Sequence, residues 1–317
     1  MIVIIASNQP LDVDEHIRRR MLNAEKGAGR RASRYPGRDL LSMQTQVNRN
    51  LQKLFLQIDG RYMSLFDLMN YVVNGRQIPR LTSGNVSHYY SLAGMVTLNG
   101  IYLYQFLRDS GYDPVLVQNY AVTDLNEILR EKPLAVCISS NFLFMEDIRE
   151  IGLKVKRQSP ETRVIAGGML VKRLLDPGAH LSPRALSYWS TFFGKVDAFI
   201  IETQGEHSLI ELLHCLKDGV SMSRISNLAY FNEKGNITFS PRRKEDLAID
   251  ETRIAWNRIP GEYLRKTLPV NTSRGCAFRC RFCNYHWFFP TIQYKSLDVL
   301  RKELHLINDL GFVKHLR

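Results

Sequence analysis

Apolar residues in this chain follow two arrangements: short unbroken β-branched runs, and longer segments with apolar positions three and four apart. The runs are Met1 to Ala6 (MIVIIA), Pro114 to Gln118, Leu134 to Ser139 (LAVCIS), Arg163 to Ala166 and Val196 to Ile201 (VDAFII). Each is short and bounded by glycine, proline or polar residues, which predicts strands buried on both faces. Helical patterns lie between them. One runs from about residue 94 to Ser110-Gly111 with Met95, Leu98, Tyr102 and Phe106 on one face, and a short one covers Asp124 to Arg130. Another covers Met145 to Arg157 with Ile148, Ile151 and Val155 inward, and a last one Glu206 to Lys217. Strands alternating with helices predict an α/β fold with a doubly wound, Rossmann-like parallel sheet, and Met1 to Ala6 as one of its strands.

Other stretches break this rhythm. Arg18 to Arg38 is rich in glycine and arginine and lacks periodicity, whereas Gln46 to Ile58 and Leu65 to Val73 carry apolar residues at helical spacing. Together they predict a basic, partly helical insertion over about 11–85. Asn227 to Phe231 and Ile237 to Phe239 predict a β-hairpin turning at Lys234-Gly235, and the polar Ser240 to Arg265 reads as a linker. Leu268 to Thr272 then opens a new strand. Ser296 caps a helix with Val299, Leu300, Leu304 and Ile307 on its apolar face, and Phe312 to Leu316 begins another strand after Gly311. The expected division is a sheet domain over 1–220, a hairpin and linker over 221–265, and the start of a further strand-helix domain over 266–317.

In a doubly wound sheet, ligands bind outside the carboxyl ends of the strands, near the point where strand order reverses. That singles out Asn8, Ser139-Ser140-Asn141, Gly167-Gly168 and Thr203-Gln204-Gly205-Glu206. Glycine admits close approach of a flat ligand, and small hydroxyls donate hydrogen bonds without filling the space. The same residues are also the turns that any such sheet needs.

Composition narrows the setting. The 317 residues are 44% hydrophobic, enough for a sizeable core, yet no apolar run approaches the roughly 20 residues that cross a bilayer. The charged segment Asp12 to Arg20 stands where a signal peptide would continue apolar, so a cytoplasmic protein without membrane contact is expected. Much of the +12 net charge sits in Arg18 to Arg20, Lys26, Arg30, Arg31, Arg34 and Arg38. A solvated basic loop accounts for it better than a nucleic-acid surface.

Five cysteines remain: Cys137 and Cys215 within apolar elements, and three in the run Cys276-Ala277-Phe278-Arg279-Cys280-Arg281-Phe282-Cys283. This C-x3-C-x2-C spacing does not read as a disulfide framework and points to metal ligation. Structural zinc wants four ligands, of which His286 would be the fourth, but no second cysteine pair exists. A cubane iron-sulfur cluster normally takes four thiolates. Three leave one iron with open coordination sites, where a substrate or cofactor binds.

The cysteine run, at the end of a strand and with Phe282 before the last cysteine, resembles the signature of the radical SAM superfamily. The resemblance implies that Cys276, Cys280 and Cys283 hold a 4Fe-4S cluster, that S-adenosylmethionine chelates the open iron, and that Phe282 lies near its adenine. Electron transfer from the reduced cluster then cleaves the sulfonium to a 5′-deoxyadenosyl radical that abstracts hydrogen from substrate. Tyr294-Lys295-Ser296 is similar to the family's entry into its first barrel helix. The helix Leu98 to Gly111 with LAVCISS, RVIAGG and VDAFIIETQGEHSLIELL together resembles the cobalamin-binding domain that precedes the barrel in many such enzymes. It implies Ser139, Gly167, Gly168, Gly205 and Glu206 as cobalamin-side positions. Asp14-x-His16 is similar to the Asp-x-His-x-x-Gly motif of a lower axial histidine, with Arg19 in place of the glycine.

The fold so implied is a cobalamin-binding-type Rossmann domain followed by the first strand-helix unit of a partial radical SAM barrel. The implied activity is radical methyl transfer to a small-molecule or peptide substrate, with an external electron donor. A full barrel of this family has about five further strands beyond Arg317, so the chain is expected to be a fragment or a shortened form. Two other readings stand beside this one. One is a non-catalytic cofactor-binding or interaction protein completed by a partner chain. The other is a tRNA methylthiotransferase, which would need three more cluster cysteines where only Cys137 and Cys215 exist.

Overall fold

The computed structural model describes residues 1–7, 56–58, 61–63, 96–120, 123–176, 182–232, 234–281, 283 and 285–316. They belong to two compact units, one of residues 1–8 with 95–317 and one of residues 9–94. In the first, β1 (Ile2–Ile5) is fully buried, as its β-branched run predicts. In the second, β2 (Leu56–Ile58) and β3 (Arg61–Met63) form an antiparallel hairpin. The helical expectation therefore fails over 56–58. Asp59-Gly60, the dipeptide between the paired Ile58 and Arg61, is a strong hairpin signal that outweighs leucine spacing. The rest of the expected insertion, with Asp14 and His16, lies outside the described residues, as does Asn8.

The first unit then alternates helix and strand. In chain order come α1 (Leu98–Asp109), β4 (Pro114–Val117), α2 (Leu125–Arg130), β5 (Ala135–Ser139), α3 (Met145–Gln158) and β6 (Arg163–Gly167). They are followed by α4 (Met169–Leu175), α5 (Pro183–Phe193), β7 (Ala198–Ile200), α6 (Glu206–Asp218), β8 (Leu228–Phe231) and β9 (Ile237–Phe239). These strands make one seven-stranded sheet in the order β4-β1-β5-β6-β7-β8-β9. The first five are parallel, and β8 and β9 continue the sheet antiparallel. The order of the parallel part, second-first-third-fourth-fifth, is that of flavodoxin-like folds and reverses between β1 and β5. The hairpin expected between two domains is thus the sheet's own edge.

Side chains alternate between two cores. Ile2, Ile4, Cys137, Ile165 and Ile200 point to one face, while Val3, Ile5, Ile138, Val164 and Phe199 point to the other. Each fully buried aliphatic side chain contributes about 1.5–3 kcal/mol by leaving water. The second face is covered by α2, α3, α4 and α5, with Ile148, Ile151 and Val155 inward as expected. Pro183 occupies the first turn of α5, where its missing N–H is not needed, and Ser182 caps that helix by accepting from the Ala185 N–H at 3.2 Å.

The first face is covered by α1 and α6 and by the chain after β9. Here α1 is rotated from expectation, burying Gly100, Ile101, Tyr104 and Leu107 and leaving Leu98, Tyr102 and Phe106 half-buried. Apolar residues surround most of this helix, so spacing does not choose a face. Gly100 does: a Cβ there would lie 2.8 Å from that of Ala6, just after β1. The segment read as a linker is ordered into single 3-10 turns at Ile249–Thr252, Trp256–Arg258 and Gly261–Tyr263. It buries Trp256 to 1% exposure beside Ile254, Ile259 and Leu264.

Beyond it lie β10 (Thr267–Leu268), β11 (Ser273–Arg274), α7 (Tyr285–Phe288), β12 (Gln293–Tyr294), α8 (Leu297–Asp309) and β13 (His315–Leu316). β10 and β13 pair in parallel across α8, which makes a strand-helix-strand unit, and β11 pairs with β12 around the cysteine run. Ser296 caps α8 as predicted, accepting from the Val299 N–H at 3.4 Å. Of the expected apolar face Ile307 is buried, Val299 and Leu300 are half-buried, and Leu304 is exposed. Among the described residues, no helix is long and apolar enough to cross a membrane.

Candidate functional site

The turns after β5, β6 and β7 are knitted together at the carboxyl edge of the sheet. Ser139 ends β5, and its hydroxyl accepts a hydrogen bond from the Asn99 side chain of α1. Ser140 Oγ donates to the Gly167 carbonyl at 2.6 Å and accepts from the Val171 N–H at 3.2 Å. Asn141 Oδ1 accepts from the Met169 N–H at 3.1 Å. Gly168 has φ +100°, and a Cβ there would meet Asn141 Oδ1 at 2.7 Å, so this turn requires glycine. At Gly205 the restriction is space, because a Cβ would lie 2.2 Å from Ile200 Cγ2.

These turns border a cavity of about 120 Å3 that holds all five positions implied for cobalamin: Ser139, Gly167, Gly168, Gly205 and Glu206. Asn99, Tyr102, Cys137, Glu202 and Thr203 line it as well. A second cavity of about 180 Å3 shares Asn99, Tyr102, Asn141, Thr203 and Glu206 with the first. It extends over Trp256, Val270, Asn271, Arg274, Phe289, Lys295 and Glu303. The two together lead from the sheet edge to β11, whose Arg274 is two residues before Cys276.

Glu206 stands where they meet. It opens α6, but the amide groups at that helix end are taken by Glu245, which accepts from the His207 and Ser208 N–H groups at 2.9 and 3.1 Å. A carboxylate is well placed there against the helix dipole. Glu206 Oε2 is buried without a hydrogen-bond partner. Burial pushes its carboxyl up to about 7; its own backbone N–H works against this, Glu245 adds to it, and Arg274 opposes it. Burial, then the charge of Glu206, likewise holds the Tyr102 phenol well above its usual range. Cys137 is held as a neutral thiol, pushed up to about 12 by burial, and is no ligand in this state.

Lys295 and Glu303 form an ion pair of 2.7 Å with side chains only 1% and 3% exposed. Glu303 also accepts from the Ile254 N–H at 2.7 Å, so the pair fastens α8 to the segment before β10. Arg274 donates to the Leu247 carbonyl at 3.1 Å and lies over the Phe289 ring at 5.4 Å. The sequence pattern did not point to Asn99, Arg274, Glu245 or the Lys295–Glu303 pair. Tyr102 was visible only as a packing residue. The proximity of Arg274 to Cys276 was the one local signal available.

Gly275, with φ +98°, turns the chain from β11 into the cysteine run, and a Cβ there would lie 2.1 Å from the Thr291 carbonyl oxygen. All three thiols of the run are free; Cys276 and Cys283 are half-buried and Cys280 is exposed. The Phe278 N–H donates to Cys276 Sγ at 3.4 Å, and the Cys283 N–H to the Cys280 carbonyl at 3.0 Å. Cys276, Arg279, His286 and Trp287 border an open hollow of about 610 Å3, with the His286 Nδ1 buried and unpartnered. Phe282 lies outside the described residues. Among the described residues, no three His, Cys, Asp or Glu side chains converge at metal-binding distance. The donor set still fits a three-thiolate cluster: three accessible thiols on one turn, with a backbone N–H already directed at one sulfur. What the loop lacks is convergence, which bound metal imposes on its ligands.

No protein-family model matches this chain, and no curated protein does. Solved structures do. The radical S-adenosylmethionine methyltransferase TsrM from Kitasatospora setae, with tryptophan substrate and a SAM analogue bound, matches at TM-score 0.50 and 20% identity over 70% of this chain and 44% of that one. The cobalamin-dependent S-adenosylmethionine radical enzyme OxsB, with aqua-cobalamin and S-adenosylmethionine bound, matches at TM-score 0.49 and 18% identity over 69% of this chain and 30% of that one. The matched residues share the fold of the corresponding part of TsrM. The chain spans less than half the length of TsrM.

Proposed function

We propose that this chain is a cobalamin-dependent radical SAM enzyme that carries out radical methyl transfer. The observation that supports it best is the gathering of Ser139, Gly167, Gly168, Gly205 and Glu206 around one cavity, contiguous with a second that reaches Arg274 beside the cysteine run. In this reading Cys276, Cys280 and Cys283 hold a 4Fe-4S cluster, and Phe282 lies against the adenine of S-adenosylmethionine. When bound, the cluster supplies the electron that cleaves S-adenosylmethionine, and cobalamin supplies the methyl group.

The chain's own residues bind, orient and exclude water. Gly168 and Gly205 let their turns close against Asn141 and Ile200, which with Gly167 shapes the rim of the first cavity on which a flat macrocycle would rest. Asn99, Asn141 and Thr203 offer polar groups toward its rim, and Arg274 places a positive charge at the second cavity. Trp256, Val270 and Phe289 wall the second cavity with apolar surface that keeps water out. The electron donor is external, and the substrate is a small molecule or peptide.

Anaerobic reconstitution with iron and sulfide tests this. The expected product binds about four irons per chain, shows a reduced-cluster electron paramagnetic resonance signal, and turns S-adenosylmethionine into 5′-deoxyadenosine. Cys280→Ala should lose all three. A protein that takes up no cluster, or whose cluster is indifferent to that substitution, overturns the proposal. A second reading is a cofactor-binding protein completed by a partner chain. It is favoured by the apolar Leu297, Leu304 and Leu316, which are 74%, 38% and 50% exposed. Cluster assembly without 5′-deoxyadenosine formation is its signature.

A further inference from the structure

Glu206 has one carboxyl oxygen, Oε2, without a partner, in a cavity whose other charges are engaged. Glu202, beside Thr203, is tied to Lys172 at 3.2 Å and to Arg242 at 3.2 Å. Glu303 is paired with Lys295, and Glu245 holds the amide end of α6. Arg274, on β11, opposes Glu206 but spends its guanidinium on the Leu247 carbonyl and the Phe289 face. From α1 the group that faces Glu206 is the Tyr102 phenol, itself near Arg274 and Glu251. Glu206 lines both cavities, and its Oε2 is buried without a hydrogen-bond partner.

We propose that Glu206 acts as a neutral acid that hydrogen-bonds an uncharged carboxamide, the group a corrin ring carries around its rim, and that its ionisation weakens the hold. This rests on the cofactor reading above and adds the residue that makes it depend on pH. Two physical effects point the same way. An ionised carboxylate has no proton to donate, so it loses the bond to an amide oxygen. A ligand that fills the cavity also keeps solvent from reaching the carboxylate when it ionises, which penalises the charged form further. The group titrates near neutrality, with a carboxyl at about 7, so the change falls within the working range of pH.

The test is titration of the full chain with methylcobalamin in the dark, followed by absorbance, for the wild type, Glu206→Gln and Glu206→Ala. Between pH 6 and 8 the neutral fraction of a group titrating at about 7 falls about tenfold, and the wild-type affinity should fall by the same factor. Gln, neutral and able to donate at every pH, should bind as the wild type does at pH 6, with no dependence on pH. Ala should bind about tenfold more weakly at both. Wild-type affinity that is flat across this range, or a Gln variant as weak as Ala, overturns the inference while leaving the cofactor reading intact. No binding by the wild type at either pH overturns the cofactor reading itself. Circular dichroism establishes that each variant is folded; if Gln is not, the wild-type pH series decides alone.

Discussion

At the scale of single residues, burial sets the chemistry of this site. Glu206 has a carboxyl raised from the ordinary 4.5 to about 7, chiefly because it is desolvated. The native state therefore holds its proton more tightly than the unfolded chain between those values. Stability is fully present below the unfolded value and is lost as pH rises through the folded one, by about 3 kcal/mol in total. Glu206→Gln should remove that slope. Urea unfolding of the cofactor-free protein is expected to show equal stability for variant and wild type at pH 4.5, and a more stable variant at pH 8. This titration is not visible in the sequence, which offers Glu206 as a turn and cobalamin-side position but says nothing of its burial. The cavity it borders is walled by residues as distant in the chain as Tyr102, Trp256 and Phe289.

At the scale of elements, the cysteine run depends on the hairpin that carries it. β11 and β12 pair through only Ser273 with Tyr294 and Arg274 with Gln293, and Gly275 makes the sharp exit beside Thr291. Gly275→Ala forces both a positive φ and a backbone clash. It should destabilise the protein by about 2 kcal/mol or more and lower the iron retained after reconstitution, read by denaturant unfolding and iron analysis. The thiol spacing was legible from sequence because ligand geometry on one turn is a local property. The helices were legible in proportion to how one-sided they are. α3, with Ile148, Ile151 and Val155 inward, matched its pattern, while α1, apolar nearly all round, turned a different face to the sheet. The half-buried Leu98 and Tyr102 look onto the cavity instead, so part of what read as core periodicity is the wall of the site.

At the scale of the whole first unit, the segment between β9 and β10 holds the sheet and the cysteine-bearing part together. Trp256 lies in the core shared by α1 and α6, and it also walls the second cavity. Around it, the Ala255 N–H donates to Gln105 Oε1 at 2.7 Å and Arg258 pairs with Asp109 at 2.7 Å. Trp256→Ala should cost about 3–5 kcal/mol and, by loosening the second cavity, weaken methylcobalamin binding as well. Thermal unfolding followed by fluorescence and by circular dichroism checks the first. A variant as stable as the wild type would contradict this role. The polar, proline-punctuated composition of 240–265 gave no sign of it, because no turn buries more than two residues and no periodicity develops.

The sequence by itself determined the parallel strands, their alternation with helices, the turns at which a ligand would sit and the C-x3-C-x2-C run. All of these are written in local periods, in glycine and proline positions, or in the spacing of like donors. The tertiary structure decided which face of α1 meets the sheet, that β8 and β9 extend it, and that Glu206, Tyr102 and Arg274 line one cavity. It also decided that Lys295 and Glu303 are buried together. These are contacts between residues far apart in the chain, such as the Ala255 N–H and Gln105 Oε1, 150 positions apart, and they depend on packing complementarity and desolvation, which only a folded chain possesses.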